Sequence, residues 1–128
     1  MDIRQLREGN IIVVYPRANQ QGILAIREVQ RESMICDMLS PRKGYQFRIR
    51  FSEINPVRLS DEWLVKASFR LDPKESGKWL CPHDQLAFRF SGHAGVFGQA
   101  EDHQVEYLHQ LQNTYLELTG KKLHITLN

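Results

Sequence analysis

Residues 102–120, DHQVEYLHQLQNTYLELTG, constrain the fold more than any other stretch, because they read as one helix with a start, an apolar stripe and a stop. Val105, Leu108, Leu111, Tyr115 and Leu118 recur at spacings of three and four, which puts them on one helical face. Asp102 suits the free N–H groups at the start, and Gly120 suits the left-handed turn that closes a helix. Lys121 and Lys122 then stand near the negative end of the dipole. Glu106, His109, Gln110, Asn113 and Glu117 fall on the remaining faces, where solvent is expected.

The first half has a different period. Short apolar runs at residues 11–15, 23–29 and 34–38 are separated by polar turns at 16–22 and 41–44. Tyr45, Phe47, Ile49 and Phe51 then alternate with Gln46, Arg48 and Arg50, the mark of a half-buried antiparallel strand. Four turn-linked strands predict a small SH3-like antiparallel barrel or meander, with a closed barrel hiding its edges. Pro56 stiffens the connector 54–59. Ser60 is placed to cap a short helix over 61–67, with Leu59 and Leu64 at the positions of a hydrophobic staple. Strands are expected at 69–71, 79–81 and 86–90, a hairpin loop at 72–78, a Gly-rich loop at 91–98, and a last strand through Leu123, Ile125 and Leu127. The fold class is therefore α+β: a β lobe over 1–58 and an α+β lobe over 59–128, packed on it as one compact unit.

A chain of 128 residues, 41% of them hydrophobic, is long enough for one ordinary core. No run reaches the ~20 apolar residues that span a bilayer, and MDIRQLREGN lacks the apolar middle of a signal peptide. A cytoplasmic protein with no membrane partner is expected. Cys36 and Cys81 are the only cysteines, and in that compartment they are expected to be reduced and buried, not bridged.

Catalytic and metal chemistry find little support. His83, His93, His103, His109 and Cys81 offer one tight ligand pair, Cys81-Pro82-His83, where zinc sites usually show two. On a helix His103 and His109 would stand about 240° apart. Asp84 beside His83, and Glu101 and Asp102 beside His103, are not tied to a nucleophile by any recognisable spacing. We expect no catalytic residue, no metal site and no cofactor. The loop 91–98 lacks the Gly-Lys-Ser/Thr ending of a P-loop, and Ser91 precedes the first glycine, so it is no esterase elbow. Its flexible backbone could still approach a phosphate, which makes Gly92, His93 and Gly95 candidate contributors to a binding site; the plainer reading is a simple connection.

Charge supplies a stronger lead. Residues 1–58 hold ten Lys/Arg against six Asp/Glu, while residues 59–128 hold seven against nine. Within the basic half, Arg48 and Arg50 share a strand face, Arg42 and Lys43 precede it in the turn, and Arg58 follows shortly after. Guanidinium groups so placed suit phosphate oxygens, which they bind bidentately, so an anionic ligand, nucleic acid or a nucleotide, is the first expectation. The competing reading pairs these arginines with Glu28, Glu32 or Glu53 as surface ion pairs worth little. The second expectation is a protein partner that the module binds and occludes, since Trp63, Trp79, Phe97, Tyr107 and Tyr115 exceed what a helix-on-barrel core obviously needs. Self-association is left open.

Three stretches carry a resemblance: Leu6-Arg-Glu-Gly-Asn10, the connector and helix start from Ile54 to Leu64, and His109-Gln-Leu-Gln-Asn113 with its continuation to Gly120. They resemble a group of small phage and prophage proteins of Bacteroidetes bacteria. The likeness implies an accessory protein of a mobile element, acting by binding in a bacterial cytoplasm, where the protein partner of the second reading would be a host or phage protein, and it carries over no functional residue. Residues 72–104 lie outside it.

Overall fold

The computed structural model describes residues 5–17, 20–82, 86–98 and 100–127, the side chains of 17 and 100–103 excepted. The chain divides into two compact units, Met1–Val57 and Arg58–Asn128. Together they are α+β, with two antiparallel five-stranded sheets, a short helix and a longer C-terminal helix.

The first unit contains β1 (Ile11–Arg17), β2 (Gln20–Val29), β3 (Ser33–Ser40), β4 (Gln46–Arg50), a 3-10 turn (Phe51–Glu53) and β5 (Asn55–Pro56). The sheet order is β4-β3-β2-β1-β5. Its end strands do not pair with each other, so it is an open meander and not a closed barrel. β5 has only two residues, and its Pro56 has no N–H to donate to a ladder. Period-2 alternation turns Leu24 and Ile26 of β2, and Met34 and Cys36 of β3, onto one face, where they form a core with Leu6, Ile12 and Ile54. The turn expected at 16–22 is shorter, because β1 and β2 extend to Arg17 and Gln20. β4 is less buried than its alternation implies. Ile49 and Phe51 are half-buried against the core, while Phe47 and Tyr45 are 39% and 52% exposed, because β4 is the sheet's edge strand.

The second unit begins with α1 (Asp61–Lys66). Ser60 Oγ accepts the Trp63 N–H at 3.4 Å, and both staple leucines, Leu59 and Leu64, are buried. Glu62 and Lys66 pair one turn apart at 3.1 Å. The Thr126 N–H donates to the Lys66 carbonyl at 2.8 Å, so the C-terminal segment closes this helix and does not form the strand expected through Leu123, Ile125 and Leu127. Then follow β6 (Arg70–Leu71), β7 (Lys78–Leu80), β8 (Ala87–Phe90), β9 (Gly95–Phe97), β10 (Ala100–Val105) and α2 (Leu108–Thr119), the strands ordered β10-β9-β8-β7-β6. Phe88 centres this core, with Phe97 at 4.8 Å and Phe69 edge-on at 6.0 Å between ring centroids. Tyr115 of α2 meets Phe69 at 6.3 Å.

The long helix starts five residues later than its sequence implies, its N-cap being Tyr107 and not Asp102. Residues 100–105 form a strand because Val105 pairs with Gly95, burying its side chain from the sheet. The expected Asp102 cap is replaced by Gln110, whose Oε1 accepts the N–H groups of Glu106 at 2.8 Å and Tyr107 at 3.1 Å. The stop stands: Gly120 has φ +73° and its N–H reaches the Leu116 carbonyl at 2.8 Å. Leu108, Leu111 and Tyr115 are buried as the stripe requires, and Leu118 is half-buried. His109 and Asn113 are buried too, against the expectation that they face water. Of the polar set only Glu117 is exposed.

Candidate functional site

β4 lies at the open end of its sheet, and among the described residues no strand pairs with its outer edge. Arg48 stands opposite Ile35, and Arg50 opposite Ser33, so the two arginines project from one face of the strand, about 6.6 Å apart. Both are exposed. Arg42 and Lys43 occupy the turn joining β3 to β4 and are exposed as well. None of these four side chains makes an ion pair among the described residues. Nearby, Arg27 and Asp37 pair at 3.0 Å.

Arg48 and Arg50 line a cleft of about 640 Å³ with Glu32, Ser33 and Glu53. Of the carboxylates considered as ion-pair partners, Glu32 and Glu53 are therefore close and Glu28 is not in the cleft, and neither of the two forms an ion pair with these arginines. Glu53 Oε1 accepts the Arg50 backbone N–H at 3.1 Å, which closes the end of the strand. The fifth candidate stands elsewhere. Arg58 belongs to the second unit, where it bridges Tyr107 across a β-ladder and lays its guanidinium 5.7 Å from that ring.

The Gly-rich stretch is a hairpin and not a long loop. Ser91 and Ala94 close a turn through the Ser91 N–H and hydroxyl, each 3.0 Å from the Ala94 carbonyl oxygen, and Gly95 opens β9. A cleft of about 390 Å³ includes Ser76, Arg89, Ser91, Gly95 and Gln104 in its lining, with neither Gly92 nor His93 among them. Its one cation is already engaged: Arg89 pairs with Glu75, which Lys78 also approaches at 3.5 Å. The Arg89 hydrogen bond holds the Glu75 carboxyl below its ordinary range. Gly95 itself is explained by packing. A Cβ there would overlap the Phe88 ring and lie 2.7 Å from the Arg89 carbonyl oxygen, which the β8–β9 ladder holds in place. Gly95→Ala should cost about 1–3 kcal/mol, read as a lower denaturation midpoint; an unchanged midpoint would refute the packing role.

Among the described residues no group of three His, Cys, Asp or Glu could hold a metal ion. His83 and Asp84 lie outside the described residues, as do the side chains of Glu101, Asp102 and His103. Cys36 and Cys81 are buried and are not joined in a disulfide. Burial, reinforced by Asp37, pushes the Cys36 thiol up to about 11, which leaves it a poor nucleophile. No helix among the described residues is long and apolar enough to cross a membrane. The aromatic residues that suggested a protein interface are largely internal: Trp79, Phe97 and Tyr115 are buried, and Trp63 and Tyr107 half-buried. Tyr45 and Phe47, whose alternation implies a half-buried face, are exposed, as is Tyr15. Comparison of the chain with protein-family models, curated proteins and solved structures finds no match.

Proposed function

We propose that the protein is a non-enzymatic binding module that takes a phosphate-bearing ligand, a nucleic acid or a small nucleotide, on the basic edge of β4. The observation that supports this reading is the placement of Arg48 and Arg50, side by side and exposed on an edge strand, with Arg42 and Lys43 in the adjoining turn. Guanidinium groups free of carboxylate partners offer paired N–H donors that match phosphate oxygens. Glu32 precedes Ser33, the residue opposite Arg50, so its charge weakens the attraction at that end and favours the end toward Lys43. The likeness to phage and prophage proteins supports an accessory role for a mobile element inside a bacterial cell.

Thermal unfolding tests the reading. A ligand that binds only the folded state stabilises it by about 2.7 kcal/mol at a hundred times its Kd. Short oligonucleotides or nucleoside triphosphates should raise the melting temperature, and Arg48→Gln/Arg50→Gln should abolish the rise. A melting temperature that no member of the panel moves would refute phosphate binding.

A further inference from the structure

Phe47 lies on the same edge strand as the arginines, on its opposite face, and Tyr45 stands just before the strand begins; they are 39% and 52% exposed, so the core does not enclose them. Their ring centroids are 6.4 Å apart and their planes 31° from parallel. At this separation the two rings lie within contact range of each other and form one exposed aromatic surface. We infer that the β4 edge binds single-stranded nucleic acid, stacking unpaired bases on the Tyr45 and Phe47 rings and holding the adjoining phosphates on Arg42, Lys43, Arg48 and Arg50. The inference rests on the phosphate-binding reading above and narrows its ligand.

The edge position makes both faces of β4 available to one flexible chain. A strand of nucleic acid running beside it reaches the rings on one side and the guanidinium groups on the other. Aromatic platforms beside a basic track are the usual means of holding single strands without reading their sequence. A duplex fits poorly, because its bases are already stacked on each other and it is too stiff to wrap a single strand edge. An acidic peptide would answer the charge but leave the two rings without a stacking partner.

Fluorescence anisotropy with labelled oligothymidylate, a duplex of the same length, ATP and polyglutamate separates these cases. The single strand should bind most tightly. Stacking is worth about 1–3 kcal/mol per base, so Tyr45→Ser/Phe47→Ser should weaken it roughly 5- to 150-fold. Phe47→Leu, which keeps apolar cover without a ring, should also weaken binding, and Phe47→Trp should retain it. Because both side chains are exposed, the variants should melt with the wild type, and melting curves check this. If the Tyr45/Phe47 variants bind the single strand like the wild type while Arg48→Gln/Arg50→Gln does not, base capture is refuted and phosphate binding stands. Equal binding of duplex and single strand, or preference for ATP, has the same consequence. Binding of polyglutamate alone, or of no probe at all, overturns both readings.

Discussion

Leu111→Ala should lower stability by about 2–5 kcal/mol, a large part of the about 5–15 kcal/mol that holds a domain of this size together. Leu111 is fully buried on α2, between Leu108 and Tyr115 on the stripe that covers the aromatic core. Truncation leaves a cavity that the neighbours of a fully buried side chain fill only in part. Asn113→Ala makes the informative comparison. On the sequence pattern alone this residue faces water, and its loss would cost no more than about 0.5 kcal/mol. Asn113 is instead 9% exposed, and removing a buried polar side chain should cost about 1–2 kcal/mol. Urea denaturation midpoints read both. A change at Asn113 within error of zero would contradict its burial.

Acid should destabilise the protein through His109 before it protonates the carboxylates. His109 is 1% exposed, its ring stacked at 5.9 Å on Tyr107, and neither ring nitrogen has a hydrogen-bond partner among the described residues. Desolvation drives its pKa down from 6.5 to about 4. Between those two values the unfolded chain binds a proton that the folded chain refuses, so stability falls as pH drops through the window. The loss is complete near pH 4 and amounts to about 3 kcal/mol. Stability is retained above pH 6.5. His109→Leu, close in volume and without ring nitrogens, should flatten the profile across this range. A variant that loses stability with the same slope as the wild type would place the titration elsewhere.

Local signals were legible wherever chain neighbours satisfy one another. Ser60 with Trp63, Leu59 with Leu64, and Gly120 at its positive φ are contacts within a few residues, and each follows from residue type and spacing. The start of α2 was not legible, because residues 100–105 are drawn into a strand by pairing with β9, whose Gly95 stands opposite Val105, and a helical period does not reveal that distant partner. The same cause hid the burial of His109 and Asn113: amphipathic spacing identifies the most buried face and says nothing about what covers the others. Alternation along β4 showed which side chains share a face, and so brought Arg48 and Arg50 together. It could not show that β4 is an edge strand, which is what exposes Tyr45 and Phe47. Arg58 was grouped with the other basic residues by proximity in sequence, yet its ladder partner is Tyr107, far along the chain.

The salt dependence of oligothymidylate binding tests the central claim most directly. Each phosphate neutralised on a single strand contributes about −0.7 to the slope of log K against log salt concentration. If Arg48 and Arg50 each neutralise one phosphate, Arg48→Gln/Arg50→Gln should make that slope shallower by about 1.4. A double variant that binds with the wild-type slope would show that these arginines touch no phosphate, and would contradict the account.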